Sequence, residues 1–391
     1  MVAWGATAKN GGTDVYVAVS RDSGVTFAPP VRVTRQADAR INAERPPVVA
    51  LARAGDEPSR EPDVAVLWTG GKTVTTITVT KSTDGGRTFQ QPIDLQASGA
   101  PGSRGWASMA ADDRGRLHVV WLDHRESASG AASAGDHVHA PALVAPSAAQ
   151  PRPAAARDGV TIAQRSGLYY ARVGAAAEAE RVLARGVCYC CKTTVAAGPG
   201  NRVVAAWRHV YPGNLRDIAA VASADSGRTF GATVRVSEDG WSIDGCPENG
   251  PSAAVDADGV THMAWPTVVS GPEPEGAIFY STSRDGRAFA RRVRVPTLAG
   301  RDPEHVQLAM VSGGNAVVAW DEVVSGRRTV VVRRLENGVR GTKVGPPNAV
   351  SDQRPARHPA IAVTPRGVLV AWTDGTAGAA TRIGVKTILM E

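Results

Sequence analysis

The chain has 391 residues, of which 43% are hydrophobic, and a formal net charge of +7 carried almost wholly by arginine. Such a length allows one large domain or two to three ordinary ones. No apolar run reaches the roughly 18 residues of a membrane-spanning helix, and no Lys/Arg block is long enough to act as a nucleic-acid arm.

Read from the N-terminus, one pattern recurs. An apolar strand ends in tryptophan (Val2-Ala3-Trp4), a third strand follows a polar loop (Val15–Val19), and a turn Ser20-Arg21-Asp22-Ser23-Gly24-Val25-Thr26-Phe27 leads to a last strand, Val31–Val33. The second repeat carries Val66-Leu67-Trp68, Thr75–Val79 and the turn Ser82-Thr83-Asp84-Gly85-Gly86-Arg87-Thr88-Phe89. The third opens with a hairpin turn, Asp112–Gly115, before Val119-Val120-Trp121, and is then interrupted. The stretch Arg125 to Arg165 is rich in Ala, Ser, Pro and Gly, includes His137 and His139, and reads as a long loop.

The fourth repeat has Ala205-Ala206-Trp207, Ile218–Val221, Ser223-Ala224-Asp225-Ser226-Gly227-Arg228-Thr229-Phe230 and Val234–Val236. The fifth runs Pro251–Val255, Asp256–Gly259, Met263-Ala264-Trp265, Ile278–Ser281 and a turn one residue shorter, Ser283 to Phe289. Val318-Ala319-Trp320 and Val370-Ala371-Trp372 mark the last two, without a recognisable turn motif. A turn motif repeated at a fixed place implies a repeat architecture. Its Asp side chain accepts hydrogen bonds from its own turn, its Gly supplies a positive φ, and its aromatic ring plugs the turn against the sheet. Each repeat is therefore a four-stranded antiparallel blade, with the Trp packed between blades.

The four turns are Asp boxes, and the chain resembles the sialidase/BNR-repeat superfamily of β-propellers over nearly its whole length. Cys188-Tyr189-Cys190-Cys191-Lys192, Arg216-Asp217-Ile218, Trp241-Ser242-Ile243-Asp244-Gly245-Cys246-Pro247 and Gly250-Pro251 further resemble a bacterial subgroup labelled exo-α-sialidase-like. The expected fold class is all-β: one sialidase-like propeller over residues 1–391. Seven tryptophan repeats point to seven blades; the family's sialidases have six, and six with an altered closure is the alternative. Repeat one begins at its second strand and repeat seven stops at its third. The expectation is that the native chain starts upstream of Met1, with an export signal and two further strands, and is periplasmic or secreted.

Strand order puts the turn motifs on one face of the disc. The blade-to-blade linkers and post-Trp loops crowd the mouth of the central channel on the other. All four cysteines and His124, His137, His139, His209, His305 and His358 map there, whereas His118 and His262 sit on equivalent strands and read as packed structural residues. Cys188, Cys190 and Cys191 are expected near Cys246, on the neighbouring linker. Such a set can hold copper or zinc, with His209, His305 and His358 as further ligands. It can equally form disulfides that staple adjacent blades, although a bridge within the Cys188–Cys191 segment is expected to be strained, or remain as redox-active thiols.

The resemblance to sialidases also implies a cluster of arginines for a substrate carboxylate, a Tyr–Glu nucleophile pair and an Asp acid/base. The channel-face candidates are Arg45, Arg104, Arg125, Arg208, Arg357, Tyr211, Glu44, Glu248 and Asp123; Arg40-Ile41-Asn42 is a poor match to the family's Arg-Ile-Pro. The expected function is that of an exported binding protein with a Cys/His-rich channel-face site holding a metal or a structural or redox disulfide. An exo-α-sialidase-type hydrolase and a protein-interaction scaffold are the alternatives. The expected partners are a small molecule, glycan or metal at the channel mouth, with a protein partner also possible.

Overall fold

A computed structural model describes residues 1–9, 11–42, 45–52, 61–96, 101–127, 159–243, 245, 247–298, 301–338, 341–351, 354–376 and 379–389. Seven antiparallel sheets stand in chain order around an axis. The first contains β1 (Val2–Thr7), β2 (Thr13–Ala18) and β3 (Val31–Arg32), and the second β4 (Val48–Ala52), β5 (Asp63–Gly70), β6 (Thr76–Ser82) and β7 (Ile93–Asp94). The third contains β8 (Arg104–Ala111), β9 (Leu117–Asp123), β10 (Gly167–Val173) and β11 (Arg181–Arg185). The fourth contains β12 (Thr194–Gly198), β13 (Arg202–Arg208), β14 (Ile218–Ser223) and β15 (Val234–Arg235). The fifth contains β16 (Ser252–Val255), β17 (Thr261–Val269), β18 (Glu275–Ser283) and β19 (Val293–Val295). The sixth contains β20 (Arg301–Met310), β21 (Ala316–Val324), β22 (Arg327–Gly338), β23 (Gly341–Val344) and a short β24 (Asn348–Ala349) paired with β22; the seventh contains β25 (Ala356–Thr364), β26 (Gly367–Asp374) and β27 (Arg382–Ile388). This is the seven-bladed propeller that the tryptophan count implies. The innermost strands β4, β8, β12, β16, β20 and β25 touch one after another around the channel.

The tryptophans hold the ring together. Trp121 packs with Leu67, Ile77 and Val79 of the second sheet, Trp207 with Val120, Leu122 and Leu168 of the third, and Trp265 with Val204 and Ala206 of the fourth. Trp320 lies against Ile278 and Tyr280 of the fifth sheet. Each indole thus plugs the blade before it. Burying one completely contributes about 3–5 kcal/mol, judged by the usual cost of truncating it.

The turn motif works as its residues suggest. In the first copy, Ser20 Oγ donates to Asp22 Oδ1 at 2.8 Å, the Thr26 amide donates to the same oxygen at 2.9 Å, and Gly24 N donates to Ser20 Oγ at 2.7 Å. The same three bonds recur at Ser82/Asp84, with distances of 2.7, 3.0 and 2.8 Å, and at Ser223/Asp225, with 2.7, 2.8 and 2.8 Å. The shorter fourth copy keeps the Ser283–Asp285 bond at 3.0 Å. Side-chain bonds from Thr26 and Thr88 lead the interactions that hold the Asp22 and Asp84 carboxyls well below the usual range.

His118 and His262 are structural, as expected. Each bonds a tyrosine hydroxyl through Nδ1 (Tyr170 at 2.7 Å, Tyr280 at 2.5 Å) and an aspartate through Nε2 (Asp112 at 3.3 Å, Asp256 at 3.0 Å). Burial keeps both imidazoles below their ordinary pKa.

Of the insertion expected as a loop over residues 125–165, residues 128–158 lie outside the described residues. Its end departs from the expectation and is a short helix, α1 (Gly159–Gln164). The reason is local burial: Ala163 is fully covered and Val160 packs against the same core cluster, which includes Val187 and Cys188. Among the described residues no helix is long and apolar enough to cross a membrane.

Gly227 tests the packing of these turns. Its φ is +73°, and an added Cβ would stand 1.8 Å from the Tyr170 hydroxyl. Gly227→Ala should therefore cost about 2 kcal/mol or more, read as a lower urea midpoint; an unchanged midpoint would contradict the close approach.

Candidate functional site

Three of the innermost strands are bulged near the start of the strand. The register slips between Gly105 and Ser108 in β8, between Arg301 and Gln307 in β20, and between Arg357 and Ala360 in β25. Each bulge holds a large residue at positive φ: Trp106 at 49°, His305 at 55° and His358 at 52°. Non-glycine residues rarely adopt this conformation, and bulges often re-aim side chains beside functional sites. Glu248, on the linker before β16, has φ 54°. Trp106, His305 and His358 all line one cavity of about 600 Å³ at the channel, together with Arg45, Asn42 and Lys192.

Asp321, at the channel end of β21, organises one side of this cavity. It is fully buried. His305 Nδ1 lies 2.7 Å from its Oδ2, the His358 amide donates to the same oxygen at 2.8 Å, and Arg328 Nη1 donates to Oδ1 at 2.5 Å. Burial alone would raise this carboxyl, but the His305 charge and hydrogen bond and the Arg328 charge outweigh it and hold it well below the usual range. Arg328 also pairs with Glu304, whose carboxyl burial pushes up. The His305 amide donates to Asn249 Oδ1 at 3.0 Å, which fixes the bulge to the neighbouring blade.

The two imidazoles lie against each other with ring centroids 3.9 Å apart and their planes inclined at 48°. Burial, the His305 charge and the Lys192 charge push His358 down to about 2, so it is neutral near pH 7. Its buried Nδ1 has no partner among the described residues. On the far side, the Arg45 guanidinium lies 4.0 Å from the Trp106 ring. The buried Trp106 Nε1–H also has no partner among the described residues. The cavity thus combines an oriented histidine, a neutral histidine, two further cations and an aromatic surface. That set can hold an anion and move a proton. Glu304, His305 and Asp321 lie within ligating reach of one another, but Arg328 already occupies both carboxylates and opposes a cation there.

The sialidase-type candidates do not assemble in this way. Asp123 is buried and saturated by Arg104 Nε at 2.9 Å, Arg125 Nη2 at 2.6 Å and Trp121 Nε1 at 3.2 Å. Arg208 is buried and donates to the backbone carbonyls of Asn249, Arg216 and Pro266. Tyr211 packs on His209 and under Arg235, and burial pushes its hydroxyl up to about 12. No carboxylate bonds that hydroxyl among the described residues. Arg357 is half-buried on β25 beside His358. Arg45 is the arginine of this set that lines the cavity. Glu44 lies outside the described residues.

The cysteines sit below the mouth rather than on it. Cys188, Cys190 and Cys191 are covered in the core between the third and fourth blades, because the segment turns inward with Val187 and Val210. Cys190 is disulfide-bonded, which removes it as a metal-ligating thiolate, and Cys188 and Cys191 are free. Cys246 lies outside the described residues. His209 accepts from Trp207 Nε1 at 3.3 Å and stands with Tyr211, apart from the His305–His358 pair. Trp106, Lys192, Asp321 and Arg328 are the site residues that sequence reasoning missed. Trp106 was visible as the one tryptophan placed just after a linker Gly-Ser-Arg-Gly, off the strand-end rhythm.

No family model matches the chain, and no curated protein matches it. Among solved structures, an ulvan lyase bound to a GlcA(1-4)Rha3S saccharide aligns with a TM-score of 0.56 and 10% identity over 99% of this chain and 89% of that one. A Hadza microbial sialidase aligns at 0.52 and 13%, over 88% of this chain and 65% of its own, so the chain spans about two thirds of that protein. A Penicillium chrysogenum alpha-L-arabinanase complexed with arabinobiose aligns at 0.51 and 10%, over 87% and 92%. At these identities the likeness shows the fold: a sialidase-like β-propeller.

The histidines give a pH prediction. His209, which burial pushes down to about 4, and His358, down to about 2, are neutral in the fold but titrate near 6.5 when unfolded. The unfolded chain then binds more protons at low pH, so their contribution is complete above about 6.5 and is lost as pH falls towards the folded values. Thermal melts should show a lower Tm at about pH 5 than at about pH 7.5, with a smaller difference in His209→Gln.

Proposed function

We propose that this propeller is a carbohydrate-active protein that takes an anionic saccharide at its channel mouth, with His305 as its proton-transfer group and His358 as a neutral neighbour in the same site. The observation that carries this reading is the convergence of the bulge-held Trp106, His305 and His358 on one cavity that Lys192 and Arg45 also line. Cations favour a carboxylated or sulfated sugar, and Trp106 holds the Arg45 guanidinium in place beside the cavity. Asp321 orients His305 through its Nδ1 bond, while His358 stays neutral beside it. The neighbouring folds support the coarser part of this reading, a carbohydrate-active propeller: an ulvan lyase, a sialidase and an arabinanase share it. Fold likeness alone would not assign a reaction.

The sialidase reading requires several guanidiniums on one carboxylate and a Tyr–Glu pair, whereas Arg208 is spent on backbone carbonyls and Tyr211 has a raised hydroxyl. The metal-binding reading loses support for the reason given by Cys190.

The test is titration calorimetry with polygalacturonate, neutral arabinan and sialyllactose, followed by product analysis. Polygalacturonate should bind, more weakly at high salt, and its affinity should fall at least about tenfold in Lys192→Met, the equivalent of losing about 1.4 kcal/mol. His305→Ala should abolish turnover. Equal binding of arabinan, or full turnover by His305→Ala, would overturn the reading. Release of sialic acid with the Arg45→Ala variant inactive would favour the sialidase.

A further inference from the structure

Cys188 and Cys191 remain outside this account. Their sulfurs lie 2.7 Å apart, both residues are buried, and the spacing between them is Cys-x-x-Cys. Beside them stands a buried charge that needs an explanation. Arg216 is 0% exposed. Its Nη1 donates to Cys188 Sγ at 3.3 Å, its Nη2 donates to Asn214 Oδ1 at 3.0 Å, it also bonds the Tyr189 side chain, and its Nε has no partner among the described residues. No carboxylate pairs with it among the described residues; the adjacent Asp217 is engaged by Arg235. A guanidinium buried without an anion is costly, and the sulfur of Cys188 is the group positioned to supply the negative charge.

We propose that Cys188 and Cys191 are a thiol–disulfide couple whose reduced form is held by the buried Arg216. In that form Cys188 is the thiolate, facing Arg216 and the more distant charge of Arg208, and the Cys191 thiol donates to it. The groups around them agree. Burial would raise Cys188, but the Cys191 hydrogen bond and the Arg216 and Arg208 charges bring it to about 6, whereas burial and the neighbouring Cys188 push Cys191 up. Of the other groups beside the pair, Tyr189 is held protonated by burial, and the Cys190 sulfur, 3.9 Å from Cys188 Sγ, is disulfide-bonded. The same two guanidiniums repel a metal cation, so the pair is a redox site in preference to a soft-metal site.

Oxidation uses a small disulfide, RSSR. The Cys188 thiolate attacks one sulfur, the S–S bond breaks, and RS⁻ leaves. Cys191 then loses its proton and attacks Cys188 Sγ, releasing the second RS⁻. The two cysteines lose two electrons and the disulfide gains them, as two thiols. Val160 and Ala163 of α1 pack over this core, so exchange proceeds through opening of that short helix. Because the disulfide leaves Arg216 without its anion, the couple favours the dithiol more than an ordinary structural disulfide does. Lys192 follows Cys191 directly and lines the saccharide cavity, which places the couple beside the channel mouth.

The experiment equilibrates the full chain in glutathione buffers of graded ratio, quenches with iodoacetamide and maps the peptide between Arg185 and Lys192 by mass spectrometry. Alkylation of Cys188 and Cys191 should disappear together and reversibly. Arg216→Met should move the midpoint at least about tenfold towards the disulfide, and Arg216→Lys should restore most of the shift. Should Arg216→Met fail to fold, the unmodified reduced protein provides the second readout: its thiolate ultraviolet absorbance should be present near neutral pH, be lost below about 6, and be missing in Cys188→Ser. Stoichiometric copper or zinc bound to both thiols, oxidation of one cysteine without the other, or an Arg216→Met midpoint equal to wild type would overturn the proposal.

Discussion

The seating of the strand-end tryptophans Trp121, Trp207, Trp265 and Trp320 in the preceding sheet is the contact on which the rest of the structure depends. It sets the angle and spacing of neighbouring blades, and these set the width of the channel. Trp121, Trp207, Trp265 and Trp320 are fully covered, each by apolar residues of the blade before it. With the inner strands fixed in this way, a side chain on one blade can be aimed at a side chain on the next within hydrogen-bond tolerance. The His305 amide bond to Asn249 crosses one such boundary, and the His358 amide bond to Asp321 crosses another.

The architecture was legible because its determinants are local and periodic. Ser, Asp, Gly and Thr in the turn motif bond within a few residues of each other, so the chain spells out the turn before any tertiary contact exists. His118 and His262 were readable for the same reason: their identical strand positions imply identical surroundings. The site was only partly legible. His305 and His358 could be assigned to the channel mouth from strand order, but not the bulges that hold them, since a positive φ at a tryptophan or histidine has no compositional mark. Asp321 directly follows Trp320, but its pairing with His305 depends on the bulge in β20, which has no mark in the sequence. The cysteine segment shows a different limit. The objection to a bridge inside it holds for adjacent residues, whereas the turn brings together the pair three positions apart.

Two buried charged centres shape the chemistry, and they differ in kind. Asp321 is an anion surrounded by donors and cations, so the fold has already met the cost of burying it. Arg216 is a cation held by an amide oxygen, the Tyr189 side chain and one sulfur, with no carboxylate among the described residues, so its stability depends on the state of that sulfur. The first centre gives a fixed geometry suited to positioning a substrate. The second gives a geometry whose energy changes when electrons are removed.

The bulges also limit how the cavity can be re-engineered. At Trp106, His305 and His358 the backbone lies in a region that β-branched residues avoid and that glycine and asparagine tolerate. A randomised library at these three positions would therefore be filtered first by main-chain conformation and only then by ligand. Recovered sequences would over-represent Gly and Asn for reasons unrelated to binding, and Val or Ile would be missing even where their shape suited a ligand. Variation in specificity is open instead at Lys192 and Arg45, whose side chains line the same cavity from backbone of ordinary φ.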